Sequence, residues 1–233
     1  MGPDYKATPS LSRRAIAQLG AAVVVAQALA GVAIAGASPD KAGKPVKIVA
    51  FGDSLTAGFG LSETAAFPAV LEKRLRTMGY DVTVINAGVS GDTTAGGLAR
   101  LDWSLGEGAD LVLVELGAND MLRGLPPAAA RRNLQTILER LKARGVPVAL
   151  SGMRALANWG EAYRAEFEAI HPALAAAYDA PLYPFFLDGV TGVAGMTLPD
   201  GLHPSAAGVE RIVDGYAPFL ARVLDVRVPR AKP

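Results

Sequence analysis

Residues 46–56 read VKIVAFGDSLT, and this stretch decides the fold of the chain. Val46, Ile48 and Phe51 belong to a short apolar run rich in β-branched residues, a pattern typical of a strand buried within a sheet. Ser54 follows this run after a glycine and an aspartate. Because glycine permits a tight turn at the carboxyl end of a buried strand, the Ser54 hydroxyl can be exposed in the crevice of an open sheet. Ser54 is therefore a candidate nucleophile.

The polar residues of this stretch also have a simpler interpretation. Asp53 and Ser54 both belong to residue types that bond to nearby backbone amides in turns and at helix starts. Short motifs match by chance, so the choice depends on partner residues elsewhere in the chain.

The composition favours one globular domain. With 233 residues, of which 51% are hydrophobic, the chain can bury one sizeable core. The absence of cysteine excludes disulfides, thiolate metal sites and a cysteine nucleophile. The two histidines, His171 and His203, leave little for a histidine metal site. The composition therefore disfavours a metal site built from cysteine or histidine.

Residues 1–37 differ from the rest of the chain and predict a secretory signal peptide. Arg13 and Arg14 precede a largely apolar run over residues 15–35 that is rich in Ala and Gly. The paired arginines resemble a twin-arginine export signal, and the alternatives are an ordinary secretory signal and an uncleaved membrane anchor. We expect cleavage, a linker over residues 38–45, and a periplasmic or secreted protein without stable membrane insertion.

The net charge of the mature chain is close to zero. Removal of the first 35 residues takes three of the 23 basic and one of the 22 acidic side chains. A near-neutral protein without a basic cluster has no electrostatic reason to bind nucleic acid or an anionic membrane surface strongly. We expect a monomer whose partner is a small-molecule substrate.

Strands and helices alternate along the remaining sequence. After the first strand, apolar runs predict strands at residues 81–86, 110–116, 146–151 and 181–186. Helical spacing predicts helices at residues 67–78, 94–105, 127–144, 161–178 and 205–224. This order predicts an α/β fold, a five-stranded parallel sheet covered by helices on both faces, in a domain over residues 46–225 with a tail over residues 226–233.

Polar, glycine-containing stretches occur at four places where such a sheet binds ligands. Three follow predicted strands and one precedes the last helix: residues 52–55, 86–92, 117–120 and 200–205. Because ligands bind beyond the carboxyl ends of parallel strands, we expect these stretches to meet.

A serine hydroxyl becomes an effective nucleophile when a base takes its proton. Histidine suits that task near neutral pH, and His203 is the better of the two candidates. Asp200 lies three residues earlier across a glycine turn, close enough to hold the imidazole tautomer. The alternatives are a helix-cap histidine and an Asp-Gly turn. His171 precedes Pro172 in a helical stretch, which indicates a cap or a kink there.

Acyl transfer also needs hydrogen-bond donors for the oxyanion of the tetrahedral intermediate. The Ser54 N–H, the Gly88 N–H and the Asn119 side-chain amide are predicted at one edge of the sheet. Gly88 and Asn119 can each be read as ordinary turn residues, and their coincidence after successive strands favours the oxyanion hole.

Two other kinds of site are disfavoured by the motifs. The glycine-rich stretches form neither G-x-G-x-x-G nor G-x-x-x-x-G-K-[ST], which argues against nucleotide chemistry. Asp53, Asp92 and Asp120 are better explained as turn formers than as a hard-metal site.

The four polar stretches, in this order, resemble the four sequence blocks of the SGNH (GDSL) hydrolase family. The resemblance covers residues 47–220, and it is narrowest to the exported branch of acyl-CoA thioesterases, lysophospholipases and arylesterases. It implies a flavodoxin-like three-layer α/β/α fold that needs no cofactor. It also implies Ser54 as nucleophile, Gly88 and Asn119 as oxyanion donors, and Asp200 with His203 as the rest of the triad.

The resemblance further implies an acyl pocket. Met121, Leu122 and Leu125 belong to the segment that lines it, and residues 152–160 form another lining stretch. The branch usually carries proline near Leu156, so this sequence leaves the preferred acyl-chain length open.

These observations together predict a serine esterase or thioesterase that acts through an acyl-enzyme. A carbohydrate O-deacetylase of the same fold is the nearest alternative, and it requires an open, polar groove lined by aromatic side chains. A non-catalytic binding protein is a further alternative, since a fold alone does not imply activity.

Overall fold

The computed structural model of the protein describes residues 43–229, which are built around a five-stranded sheet. The strands are β1 (Val46–Gly52), β2 (Val82–Gly88), β3 (Leu111–Glu115), β4 (Val148–Ser151) and β5 (Leu182–Tyr183). All neighbouring strands are parallel, in the order β2-β1-β3-β4-β5. This is the flavodoxin-like strand order, and it confirms the predicted fold class.

Eight helices cover the sheet within the described residues. They are α1 (Ser54–Ala57), α2 (Phe67–Thr77), α3 (Thr94–Leu105), α4 (Ala118–Leu122), α5 (Pro127–Ala143), α6 (Glu161–Glu168), α7 (Ile170–Tyr178) and α8 (Ala206–Arg227). Helix α2 packs against α8, whereas α5 packs against α3, α6 and α7. Each group buries its apolar face; α5, for example, buries Leu134, Ile137, Leu138 and Leu141.

The register of the sheet brings three loops together. Gly52, the last residue of β1, lies opposite both Gly88 of β2 and Glu115 of β3. The three strands therefore end at one level, and the loops that follow them leave the sheet side by side. The chain continues from β1 to β2 on one side of the β1/β3 pair and from β3 to β4 on the other side. The strand order therefore reverses between β1 and β3, and a ligand site is expected beyond the carboxyl ends of these two strands.

Two predicted elements differ from the structure because of prolines. The predicted helix over residues 161–178 is divided at Ala169 into α6 and α7. Pro172 has no N–H to bond the carbonyl four residues earlier, which explains the break. The predicted strand over residues 181–186 is limited to Leu182–Tyr183, since Pro184 cannot continue the ladder.

Other boundaries also depend on tertiary contacts. The short helices α1 and α4 were absent from the prediction, and α8 continues two residues beyond the predicted domain end at residue 225. The predicted signal peptide (residues 1–37), most of the predicted linker and the last four residues lie outside the described residues. Between residues 43 and 229, no helix is both long and apolar enough to span a bilayer.

Candidate active site

The turn between β1 and α1 presents Ser54. Asp53 caps the helix, since its Oδ1 accepts a hydrogen bond of 3.0 Å from the Leu55 N–H. Gly58 ends the helix with a left-handed φ of 82°, a conformation that favours glycine. Ser54 thus begins a helix of four residues directly after a buried strand, and it is 8% exposed at the wall of a cavity.

The last polar loop brings His203 to Ser54. The His203 carbonyl accepts from the Leu198 N–H at 2.8 Å, and a β-bridge joins Thr197 to Pro204. These contacts close the loop, so that His203 Nε2 lies 2.9 Å from Ser54 Oγ. His203 Nδ1 lies 2.7 Å from Asp200 Oδ2. The sequence-predicted serine, histidine and aspartate are therefore in hydrogen-bond contact.

The environment of Asp200 determines the direction of these hydrogen bonds. The backbone N–H groups of His203 and Leu202 bond to Asp200 Oδ1, and together with the His203 ring they lower the pKa of Asp200 to about 2. Asp200 is therefore ionised and accepts the Nδ1 proton of His203. The Nε2 lone pair then faces the Ser54 hydroxyl, which is the arrangement that general-base activation requires.

Asn119 provides a donor beside the serine. It lies in α4, directly after β3, and its Nδ2 donates to Asp53 Oδ2 at 3.2 Å. The second hydrogen of the amide remains available for an oxyanion. The Ser54 N–H is in the first turn of α1, where backbone donors have no acceptor within the helix. Both predicted donors therefore border the same cavity.

The structure differs from the prediction at Gly88. Its N–H donates to the Asn86 side-chain Oδ1 at 3.0 Å, so this donor is already occupied. A Cβ atom at Gly88 would come within 2.8 Å of the Asp53 carbonyl oxygen, which shows that Gly88 serves close packing against α1.

Gly91, on the same loop, has a free N–H among the residues that the structure describes. Its φ of 86° is left-handed, and its carbonyl accepts from Arg123 at 2.7 Å. Sequence reasoning did not identify Gly91. The signal that indicates an exposed turn there is a glycine between serine and aspartate shortly after a predicted strand.

The cavity beside Ser54 has a volume of about 490 Å³ and a largely apolar wall. Met121, Leu122 and Leu156 line it, as predicted. Leu125 is not among its lining residues, and the Leu125 carbonyl accepts a hydrogen bond of 2.9 Å from the Tyr163 hydroxyl. Met153 and Arg154, from the predicted lining stretch 152–160, line the cavity as well. Lining residues that sequence reasoning missed include Leu55, Phe185, Leu187 and Leu202.

Most of the missed lining residues follow β5. The rule that ligands bind beyond the carboxyl ends of strands indicates that part of the chain, but it does not identify the side chains that face the cavity. Phe59 was also missed, and its ring lies 4.4 Å from the His203 ring, between centroids.

The three aspartates of the disfavoured hard-metal site all have hydrogen-bond partners within the protein. Asp53 bonds Leu55 and Asn119, Asp92 bonds Arg100, and Asp120 accepts from the Thr94 N–H and hydroxyl at 2.7 Å. Among residues 43–229, no group of three or more potential ligands is placed to hold a metal ion. These aspartates therefore order the loops around the cavity.

His171 does not take part in the triad, and it supports the loop that carries Asn119. It is fully buried in α7, and its Nε2 lies 3.1 Å from the Leu116 carbonyl at the end of β3. Burial lowers the pKa of His171 to about 4, so the ring is neutral and Nε2 donates. The break before α7 agrees with the expected kink at Pro172, and His171 adds a tertiary contact from α7 to the end of β3.

The fold and this arrangement of side chains are those of a serine hydrolase. The sequence matches the GDSL-like Lipase/Acylhydrolase family over residues 50–211. It is 43% identical to Esterase TesA of Pseudomonas aeruginosa over 178 residues, which cover 76% of this chain and 89% of the relative.

Two further comparisons agree with this match. The chain is 40% identical to Thioesterase 1/protease 1/lysophospholipase L1 of Escherichia coli over 171 residues, covering 73% of this chain and 81% of the relative. The crystal structure of AlinE4, an SGNH-hydrolase family esterase, is 49% identical with a TM-score of 0.66, and the match covers 78% of this chain and 98% of that one.

The chain belongs to the GDSL-like lipase/acylhydrolase family, and it is a carboxylic ester hydrolase of the SGNH type. The resemblance, the fold class and the enzyme class predicted from the sequence are confirmed.

Replacement of His171 by Gln should flatten the acid dependence of stability. The folded state holds His171 at a pKa of about 4 against its ordinary 6.5, so it binds fewer protons than the unfolded state between these values. The stabilisation is complete above pH 6.5 and is lost as the pH falls towards 4, by about 3 kcal/mol.

Urea unfolding at pH 7 and pH 4.5 measures this effect as the difference between the wild type and His171→Gln. Contributions from the carboxyl groups are common to both proteins and cancel in the comparison. Parallel pH dependences in the two proteins would exclude a buried neutral His171.

Proposed function

We propose that this protein hydrolyses acyl esters and thioesters through an acyl-enzyme on Ser54. The observation that carries the proposal is the continuous contact from Ser54 Oγ to His203 Nε2 and from His203 Nδ1 to Asp200. Because the ionised Asp200 accepts the Nδ1 proton of His203, the Nε2 atom can act as the base that takes the Ser54 proton.

The steps follow from these contacts. His203 takes the Ser54 proton as the oxygen attacks the acyl carbonyl, and Asp200 stabilises the imidazolium. The Ser54 N–H and the Asn119 amide stabilise the negative oxygen. His203 then gives its proton to the leaving alcohol or thiol. A water molecule, deprotonated by His203, attacks the acyl-enzyme, and release of the carboxylic acid restores Ser54.

The cavity supports an acyl chain as the group that it holds. Leucine and methionine supply seven of its nineteen lining residues, and the one lining phenylalanine, Phe185, is covered by the Arg154 guanidinium at 4.8 Å from the ring centroid. The cavity beside Ser54 is not the polar groove with exposed aromatic faces that a carbohydrate deacetylase requires. The relatives named esterase, thioesterase and lysophospholipase support the same substrate class.

We also propose that the enzyme acts as a monomer in the periplasm or outside the cell. The paired arginines Arg13 and Arg14 ahead of an apolar run support export. Cell fractionation of a strain that expresses the full chain, compared with an Arg13→Lys/Arg14→Lys variant, tests the route.

Replacement of Ser54 by Ala should abolish turnover without changing the fold, because no other group can form the acyl-enzyme. Asn119→Ala should lower kcat about a hundredfold or more, as expected for an oxyanion donor. Asn133→Ala is the matched control. It removes an amide that donates a 3.0 Å hydrogen bond to the Thr94 hydroxyl, and Asn133 does not line the cavity. Activity of Ser54→Ala on p-nitrophenyl butyrate would refute the proposed nucleophile.

The rate on p-nitrophenyl esters from acetyl to palmitoyl should peak at medium chains. Each added methylene that is buried in the apolar cavity favours binding, but only until the cavity of about 490 Å³ is filled. The specificity constant kcat/KM for each ester measures this, with Ser54→Ala as the blank. Turnover confined to acetyl esters would instead favour the deacetylase.

The third oxyanion donor should be the Gly91 N–H and not that of Gly88, because Asn86 already occupies Gly88. A phosphonate adduct on Ser54 places a negative oxygen in the hole. In ¹⁵N-labelled protein the Gly91 amide proton should shift strongly downfield in the adduct while Gly88 changes little. The reverse pattern would restore Gly88 as the donor.

A further inference from the structure

Glu115 is a buried acid beneath the candidate nucleophile that the proposed steps do not use. It ends β3, lies opposite Gly52 in the sheet, and is 2% exposed. Its Oε2 accepts a hydrogen bond of 2.8 Å from the Thr56 hydroxyl. Its Oε1 is buried and has no hydrogen-bond partner among the described residues.

The contact with Thr56 connects this acid to Ser54. Thr56 lies in α1 only two residues after Ser54, and it is 1% exposed. Gly52 makes room for the contact, since a Cβ atom there would overlap Thr56 Oγ1 and come within 2.7 Å of Glu115 Oε2. The end of β3 and the helix that presents Ser54 are therefore joined by one side-chain hydrogen bond across the glycine of the turn.

The surroundings of Glu115 favour its uncharged form. Burial raises its pKa well above the usual range and the nearby Asp53 carboxyl raises it further, whereas the hydrogen bond from the Thr56 hydroxyl and the nearby Asp53 and Thr56 N–H groups oppose this less strongly. Tyr216 of α8 is the other titratable group that interacts with it, and burial keeps that phenol protonated. Within residues 43–229, no lysine or arginine forms an ion pair with Glu115.

We propose that Glu115 is a positioning residue of the esterase, a neutral acid that holds the first turn of α1 through Thr56 and so aligns Ser54 with His203 and Asn119. This inference rests on the proposed role of Ser54. Neutrality matters because Asp53, which holds the Asn119 amide, already lies close by. A second negative charge there would oppose the oxyanion that forms during acyl transfer.

Three single variants of the full chain and one double variant test the proposal on p-nitrophenyl butyrate. Glu115→Gln keeps the shape and an acceptor for Thr56, so we expect wild-type kcat from pH 6 to pH 8. Glu115→Leu removes the acceptor and should lower kcat about tenfold with KM unchanged, since small displacements of reacting groups are costly. Thr56→Val should match Glu115→Leu, and the double variant should lose no more than either one.

Ser151→Ala is the control for the loss of a buried hydrogen bond as such. It removes the 3.0 Å bond to the Tyr216 hydroxyl without touching α1, and kcat should not change. If Glu115→Leu does not fold, as judged by circular dichroism, Thr56→Val and Glu115→Gln decide the question.

Two results would overturn the proposal. An inactive but folded Glu115→Gln would show that the charge is needed, and full kcat in folded Glu115→Leu or Thr56→Val, even with a lowered Tm, would show a purely structural role. Failure of the proposed function is seen separately, as residual activity in Ser54→Ala.

Discussion

The alignment of three strand ends is the constraint on which the active site depends. Gly52 pairs with both Gly88 and Glu115, so hydrogen bonds in the buried centre of the sheet set the level from which three loops depart. A slip of one residue would turn every side chain of a strand to the opposite face. The distance between Ser54 and Asn119 is therefore controlled by backbone pairing in the core, and the loops add only short, capped turns.

The catalytic histidine reaches this edge by a different route. His203 is 149 residues from Ser54 in sequence, and its loop is closed by its own backbone contacts before α8 begins. Ser205 caps α8 by accepting from the Gly208 N–H, and α8 packs along α2. Because α2 also packs against β2, the histidine loop is held to the sheet by a helix pair.

Three carboxyl groups near the serine have different protonation properties because their surroundings differ. Asp200 is open to solvent and accepts backbone hydrogen bonds, which lower its pKa to about 2. Asp53 is buried, and desolvation raises its pKa to about 6 despite its hydrogen bonds to Leu55 and Asn119. Glu115 is also buried, and desolvation together with the nearby Asp53 carboxyl raises its pKa well above the usual range. Burial, rather than residue type, thus separates the group that supports the imidazolium from the group that holds the turn.

The sequence by itself determined the fold class, the strand order along the chain and the residues of the triad. Apolar runs and helical spacing are local properties, and polar residues after buried strands must meet at one edge of a parallel sheet. The bounds of α2, α3 and α5 were correspondingly close to prediction.

Only the tertiary structure decided which of these polar groups are available. The Gly88 N–H is occupied by Asn86, Leu125 does not line the cavity, and His171 and Glu115 are buried beneath the loops they support. Each outcome depends on contacts between residues distant in sequence or on the direction of a side chain at a loop. Local patterns carry no information on either, because burial and hydrogen-bond partners exist only after the chain has packed.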